Sequence, residues 1–156
     1  MLALMHRAIA PGEGHSAGRE LLRQMVEDYT GQAMPEIALG RWGKPYFPDS
    51  SLQFSITHTK HHVFCALSDR PIGIDAEEID RKISLSLAGK ILAPAELAQF
   101  TAAADKPLAL LTFWVLKEAA AKCEGTGLRG YPNHTNFILD DPRVTTAHGC
   151  LLAVVE

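Results

Sequence analysis

The chain has 156 residues, 47% of them hydrophobic and 21% charged, with a formal net charge of −3. That size suits one compact domain, or two small halves sharing a core, and the composition excludes wholesale disorder. The acid excess argues against a strongly basic nucleic-acid binder, and no apolar run approaches the roughly 20 residues that cross a bilayer.

In chain order, residues 1–9 read as a strand and 11–14 as a loop. Ser16 is placed to cap a helix over 17–29, with Leu21, Leu22, Met25 and Val26 on one face and Gly31 as its stop. A weak strand signal at 36–39 and a Gly/Pro loop at 41–45 follow. Residues 54–57 and 63–67 read as strands around the polar turn 59–62, and 71–75 as a strand ending in acid. The pair Arg81-Lys82 precedes a helix near 85–91, and Pro94 starts another carrying Glu96, Leu97 and Phe100. The strongest helix covers 108–123 and ends at Gly125 and Gly127. Residues 137–139 and 150–155 read as closing strands around the turn Asp140-Asp141-Pro142. Helices and strands mix without βαβ alternation, which predicts an α+β fold. A long helix precedes a strand group twice, so two similar halves are expected, 1–70 and 71–156.

Cys65, Cys123 and Cys150 form no CxxC pair and sit in apolar contexts, so buried core thiols are expected. The first ten residues are too short and mixed for a secretory signal, which with the scattered cysteines predicts a cytoplasmic protein.

Three groups of residues carry chemistry. Asp75 and Glu77 stand two apart, on one face of a strand. Acids so placed repel unless a cation lies between them, and Mg²⁺ takes carboxylates together with substrate phosphates. The alternative is a solvated strand end; the apolar Ile72-Gly73-Ile74 just before sets the acids at the edge of a core. Lys117, Glu118 and Lys122 form the second group, with Glu118 and Lys122 sharing a helix face. As a surface ion pair these two would contribute about 0.3–0.5 kcal/mol. Within a site they would supply a third metal ligand and a phosphate contact from a rigid element. In the third group, Lys44 between Gly43 and Pro45 can meet a phosphate as a point charge, and Thr57 and His58 offer two phosphate donors. His61 and His62 read as plain surface residues. Acids for a metal, with cations and donors for phosphates, point to phosphoryl or pyrophosphate chemistry. There is no GxxxxGK[ST] or HExxH.

Taken in order, Gly43-Lys44-Pro45, Phe54-Ser55-Ile56-Thr57-His58-Thr59, Ile72-Gly73-Ile74-Asp75-Ala76-Glu77 and Trp114-Val115-Leu116-Lys117-Glu118-Ala119-Ala120-Ala121-Lys122, with Gly125-Thr126-Gly127-Leu128 behind, resemble the 4′-phosphopantetheinyl transferases of the larger, surfactin-synthetase-activating type. Thr57 and Thr59 stand where that pattern has serine, and Val115-Leu116 replaces a more polar pair. The resemblance implies a fold of two halves related by a pseudo-twofold axis, with a cleft between them. It implies transfer of the phosphopantetheine arm of coenzyme A (CoA) to a serine of an acyl or peptidyl carrier protein, releasing adenosine 3′,5′-bisphosphate. Asp75, Glu77 and Glu118 would bind Mg²⁺, Glu118 would help to deprotonate the serine, and Lys122 would neutralise the pyrophosphate. Lys44, Thr57 and His58 would hold the adenosine end of CoA, with His58 near the 3′-phosphate. Arg7 and His15 would stand in for basic residues that larger members carry ahead of the first helix. Carrier docking would draw on Arg19, Arg23, Arg41 and Lys60. Both halves in one chain imply a monomer, with no nucleic acid or membrane partner. The rival reading is a non-catalytic module that binds CoA or a carrier protein.

Overall fold

In the computed structural model, which describes residues 1, 3–127 and 136–156, the stripe Leu21, Leu22, Met25 and Val26 lies buried on helix α1 (Gly14–Thr30). The helix starts three residues before the predicted point. Glu13 is its N-cap, and Ser16, inside the first turn, donates its hydroxyl to the Glu13 carbonyl instead of capping. Gly31 closes the helix at φ 69°, a left-handed conformation that glycine adopts without strain.

Strands β1 (Ala3–Ala8), β4 (Gln53–His58) and β5 (His62–Ser68) form an antiparallel sheet in the order β1-β5-β4. The weak signal at 36–39 becomes a two-residue strand, β2 (Ala38–Leu39), paired with β3 (Pro45–Tyr46). Strands β6 (Gly73–Glu78), β7 (Val144–Ala147) and β8 (Cys150–Val155) form a second antiparallel sheet in the order β6-β8-β7. A 3₁₀ turn (Leu85–Leu87) and helices α2 (Ala88–Ile91), α3 (Pro94–Ala102) and α4 (Lys106–Glu124) lie between β6 and β7. Each sheet is therefore built as a strand, then a long helix, then a hairpin whose last strand sits in the middle. All of these pairings are antiparallel, so the fold is α+β. Among the described residues, no helix is long and apolar enough to cross a membrane.

Alternation along the central strands sets the layers. Val63, Cys65 and Leu67 of β5 pack with α1, whereas Phe64 and Ala66 pack with Ile74, Ala76, Cys150 and Leu152 of the second sheet and with Ile72 just before it. Leu151, Ala153 and Val155 of β8 face Leu111, Val115, Leu116 and Ala119 of α4. Helix α4 and β6 approach so closely at Gly73 that a Cβ there would lie 1.9 Å from the Ala119 carbonyl oxygen. A glycine is required for this contact, and it brings α4 against the strand that carries Asp75.

Several expectations need correction. The strand predicted at 71–75 starts two residues later and ends three residues later, so Asp75 lies inside β6 and not at its end. Residues 137–139 are not a strand. The Phe137 and Leu139 amides donate to the side chains of Glu96 and Gln99, and the Phe137 carbonyl accepts from Gln99, so α3 takes the bonds a neighbouring strand would make. Cys65 and Cys150 are buried, but Cys123 is partly exposed. Of the motif Gly125-Thr126-Gly127-Leu128, Leu128 lies outside the described residues.

His62 is not a plain surface residue. Its Nδ1 lies 3.0 Å from His6 Nε2, and the His6 ring stacks on His148 with centroids 3.6 Å apart. Burial lowers the His6 pKa below its ordinary 6.5, as do His148 and His62. The unfolded chain thus takes up a proton that the folded protein resists. Stability is full above pH 6.5 and declines as pH falls from there toward the lowered folded value. Denaturant midpoints between about pH 7.5 and about pH 5 are expected to fall on acidification, and less steeply in His6→Phe. An unchanged slope in that variant would place the titration elsewhere.

Candidate active site

The site forms where the two sheets meet under α4. β6 is the edge strand of its sheet, and its outward amides need acceptors. Side chains of β4 supply them. The Ile74 amide donates to Ser55 Oγ at 3.0 Å, and the Ala76 amide to Thr57 Oγ1 at 3.3 Å. Between these two amides, the Asp75 side chain points back toward β4 and accepts from Thr57 Oγ1 at 3.1 Å.

Asp75 is 6% exposed. Burial pushes its carboxyl above the usual carboxylate range, while the Lys122 ammonium, the Thr57 hydroxyl and the Ala76 amide pull it down. Lys122 Nζ donates to Asp75 Oδ1 at 2.7 Å, so Lys122, which shares a helix face with Glu118, is bonded across the cleft to β6. Burial also raises the carboxyls of Glu77 and Glu118, and each is raised further by the charge of Asp75. Glu77 is ion-paired with Arg81 and receives the Trp114 side chain.

Six of the seven residues given a site role in the sequence line one pocket: Thr57, His58, Asp75, Glu77, Glu118 and Lys122. The seventh, Lys44, lines an adjoining pocket that shares Glu118 and Lys122. Its ammonium donates to the carbonyls of Ile72 at 3.2 Å and Cys123 at 3.1 Å, which ties the β3 loop to the start of β6 and the end of α4. Burial lowers its pKa. His58 is exposed at the end of β4 and packs on the first residue of α1, where a Cβ on Gly14 would lie 2.4 Å from the imidazole Cγ. Of the residues expected to meet a carrier, Arg23 is held between Glu20 and Glu27, and Arg41 stacks on Trp42.

Lys117 was read only as a neighbour of Glu118. It is 1% exposed and bonds at 2.7 Å to Glu96, which is fully buried. Glu96 also accepts from the Ala93 and Phe137 amides, so one carboxylate joins α3, α4 and the segment at 137. The signal available in the sequence was the position of Lys117, whose neighbours Val115, Leu116, Ala119 and Ala120 belong to the buried side of α4.

A metal's fit can be judged from the donors. Asp75 Oδ2 is buried and without a hydrogen-bond partner among the described residues, which suits a cation ligand. Three desolvated carboxylates around one pocket suit a hard divalent ion. Among the described residues no three acid, His or Cys side chains are gathered closely enough to grip one ion as they stand. Lys122 and Arg81 neutralise two of the three acids in this arrangement. The donor set fits Mg²⁺.

Residues 71–151 match the family model described as the 4′-phosphopantetheinyl transferase superfamily. The chain is 37% identical over 91 residues to 4′-phosphopantetheinyl transferase Sfp of Bacillus subtilis strain 168, covering 56% of this chain and 40% of that protein. It is 33% identical over 107 residues to 4′-phosphopantetheinyl transferase gsp of Aneurinibacillus migulanus, covering 67% and 44%. To 4′-phosphopantetheinyl transferase psf-1 of Bacillus pumilus it is 28% identical over 134 residues, covering 82% and 57%. These matches thus span about half the length of the relatives. The matched segment holds β6 with Asp75 and Glu77 and α4 with Glu118 and Lys122, and the chain belongs to the 4′-phosphopantetheinyl transferase superfamily.

Proposed function

We propose that this chain transfers the 4′-phosphopantetheine arm of CoA to a serine hydroxyl of an acyl or peptidyl carrier protein. The observation that carries the reading is the meeting of Asp75, Glu77, Glu118 and Lys122 with Thr57 and His58 around one pocket. Asp75, Glu77 and Glu118 would hold Mg²⁺, which supplies Lewis-acid polarisation of the pyrophosphate when bound. The serine oxygen attacks the phosphorus that bears the pantetheine. The bond from that phosphorus to the bridging oxygen breaks, and adenosine 3′,5′-bisphosphate leaves. Glu118 accepts the serine proton, directly or through water; burial raises its carboxyl and makes it a better base than an exposed glutamate. Lys122 meets the negative charge that gathers on the departing phosphate.

The shared strand order of the two sheets supports halves 1–70 and 71–156 related by a pseudo-twofold axis. Their presence in one chain supports a monomer.

The CoA end of the reading is tested by calorimetry on His58→Ala with CoA and 3′-dephospho-CoA. Loss of a charge-assisted hydrogen bond to the 3′-phosphate costs about 1.5–3 kcal/mol, a tenfold to hundredfold weakening for CoA alone. Equal weakening of both ligands removes His58 from the phosphate. Absence of CoA binding by the wild-type chain overturns the reading.

A further inference from the structure

A hydroxyl has one hydrogen to give. Thr57 gives its hydrogen to Asp75 Oδ1 and accepts the Ala76 amide, so no proton remains for a phosphate. Both residues are buried, Thr57 at 5% and Asp75 at 6% exposure, which keeps water from competing for these bonds. The contact is one of three along the strand. Ser55 and Thr57 share one face of β4, and Thr59 follows just past its end; Ser55 accepts the Ile74 amide, and Thr59 donates to Glu78 at 2.8 Å. These alternate hydroxyls bond the first half to the edge of the second half's sheet. A β-branched side chain in a strand is stiff at χ1, so Thr57 holds its hydroxyl in one place. With Lys122 on the same oxygen, Asp75 Oδ1 is held by two donors while Oδ2 stays buried and without a partner among the described residues.

We propose that Thr57 is a positioning residue for Asp75. It fixes the carboxylate by Oδ1, leaves Oδ2 for the cation, and has no hydroxyl hydrogen left to donate to CoA. This replaces the expectation that Thr57 binds the adenosine end, and it rests on the proposed transfer reaction and its Mg²⁺ site. An outer partner of a metal ligand typically governs metal affinity by about 10–100-fold, and substrate affinity only through the metal.

The test is CoA binding by calorimetry, in EDTA and in Mg²⁺, for the wild type, Thr57→Val, Thr57→Ser and Asp75→Asn, with melting temperatures to confirm folding. Thr57→Ala replaces Thr57→Val if the latter does not fold. In EDTA, Thr57→Val should bind CoA within about twofold of the wild type, whereas the affinity that Mg²⁺ adds should fall about tenfold or more. Thr57→Ser keeps the hydroxyl and should retain that gain. Adding Thr57→Val to Asp75→Asn should change nothing further, since the residue acts through Asp75. Equal loss with and without Mg²⁺, or loss persisting in the Asp75→Asn background, places Thr57 on CoA and overturns the proposal. So does a full Mg²⁺ response in Thr57→Val. A wild-type chain that binds CoA with no response to Mg²⁺ overturns the metal reading itself, an outcome recognisable before any variant is made.

Discussion

Asp75→Ala is expected to abolish transfer while leaving the protein folded. The carboxylate is the inner acid of the cleft, bonded to Lys122 at 2.7 Å and to Thr57 at 3.1 Å, with Oδ2 unpartnered among the described residues. Its removal takes a ligand from the proposed metal site and the partner from Lys122 in one change. A metal ion contributes several kcal/mol of charge stabilisation in such reactions, so the rate should fall on the order of 1,000-fold or more. The fold should not suffer. Burial is the largest influence on this group and opposes its charge, so the ionised side chain burdens the metal-free protein. Thermal melting in EDTA should hold or rise, while turnover of an apo-carrier protein with CoA and Mg²⁺ should vanish. A variant within about tenfold of wild-type rate would contradict the metal assignment.

The largest effect on stability is expected at Lys117. Breaking a buried ion pair by removing one partner costs about 3–5 kcal/mol, because the other charge stays behind. Lys117→Met keeps length and apolar stem but leaves the fully buried Glu96 facing an uncharged side chain. For a domain of this size each kcal/mol lowers the melting temperature by about 2–4 °C, so a fall of roughly 10 °C is expected. The loss should reach the segment at 137, since Glu96 accepts the Phe137 amide and Lys117 lies over the Phe137 ring at 5.8 Å. Hydrogen exchange should therefore quicken at Phe137 and Leu139 before it does in α1. Arg23→Ala is the control. Its pairs with Glu20 and Glu27 stand on the exposed face of α1, and melting should stay near the wild type. A Lys117→Met protein as stable as the wild type would show that the buried pair is dispensable.

The sequence was most informative where local periodicity and side-chain chemistry agreed. The stripe Leu21, Leu22, Met25 and Val26 could form little but an amphipathic helix, and the alternating runs at 54–57 and 63–67 appear as β4 and β5 within one or two residues. The pairing Asp75–Glu77 was legible because like charges near a core demand an explanation, and the Glu118–Lys122 turn because it sets opposite charges on one face of an otherwise apolar helix. What was not legible depends on contacts distant in the chain. Glu118 and Lys122 are neighbours on α4, yet Lys122 reaches Asp75, 47 residues away in sequence. Thr57 carries the hydroxyl expected of a phosphate donor, but β6 lies alongside and takes it. Lys44 on its Gly-Pro loop meets two carbonyls that sequence could not bring to it. Residues 137–139 have strand-like composition, and the side chains of α3 claim their backbone groups first. In each case the residue type left several bonds open, and tertiary neighbours chose which one it makes.

The claim at the centre of this account is that the cleft acts on CoA, and intact-mass analysis of an apo-carrier protein tests it most directly. Incubated with the chain, CoA and Mg²⁺, the carrier should gain the mass of one phosphopantetheine arm as adenosine 3′,5′-bisphosphate appears. Neither product should form in EDTA or with Asp75→Ala. A carrier that keeps its apo mass beside a folded chain that binds CoA would contradict the account and favour a module that binds without turnover.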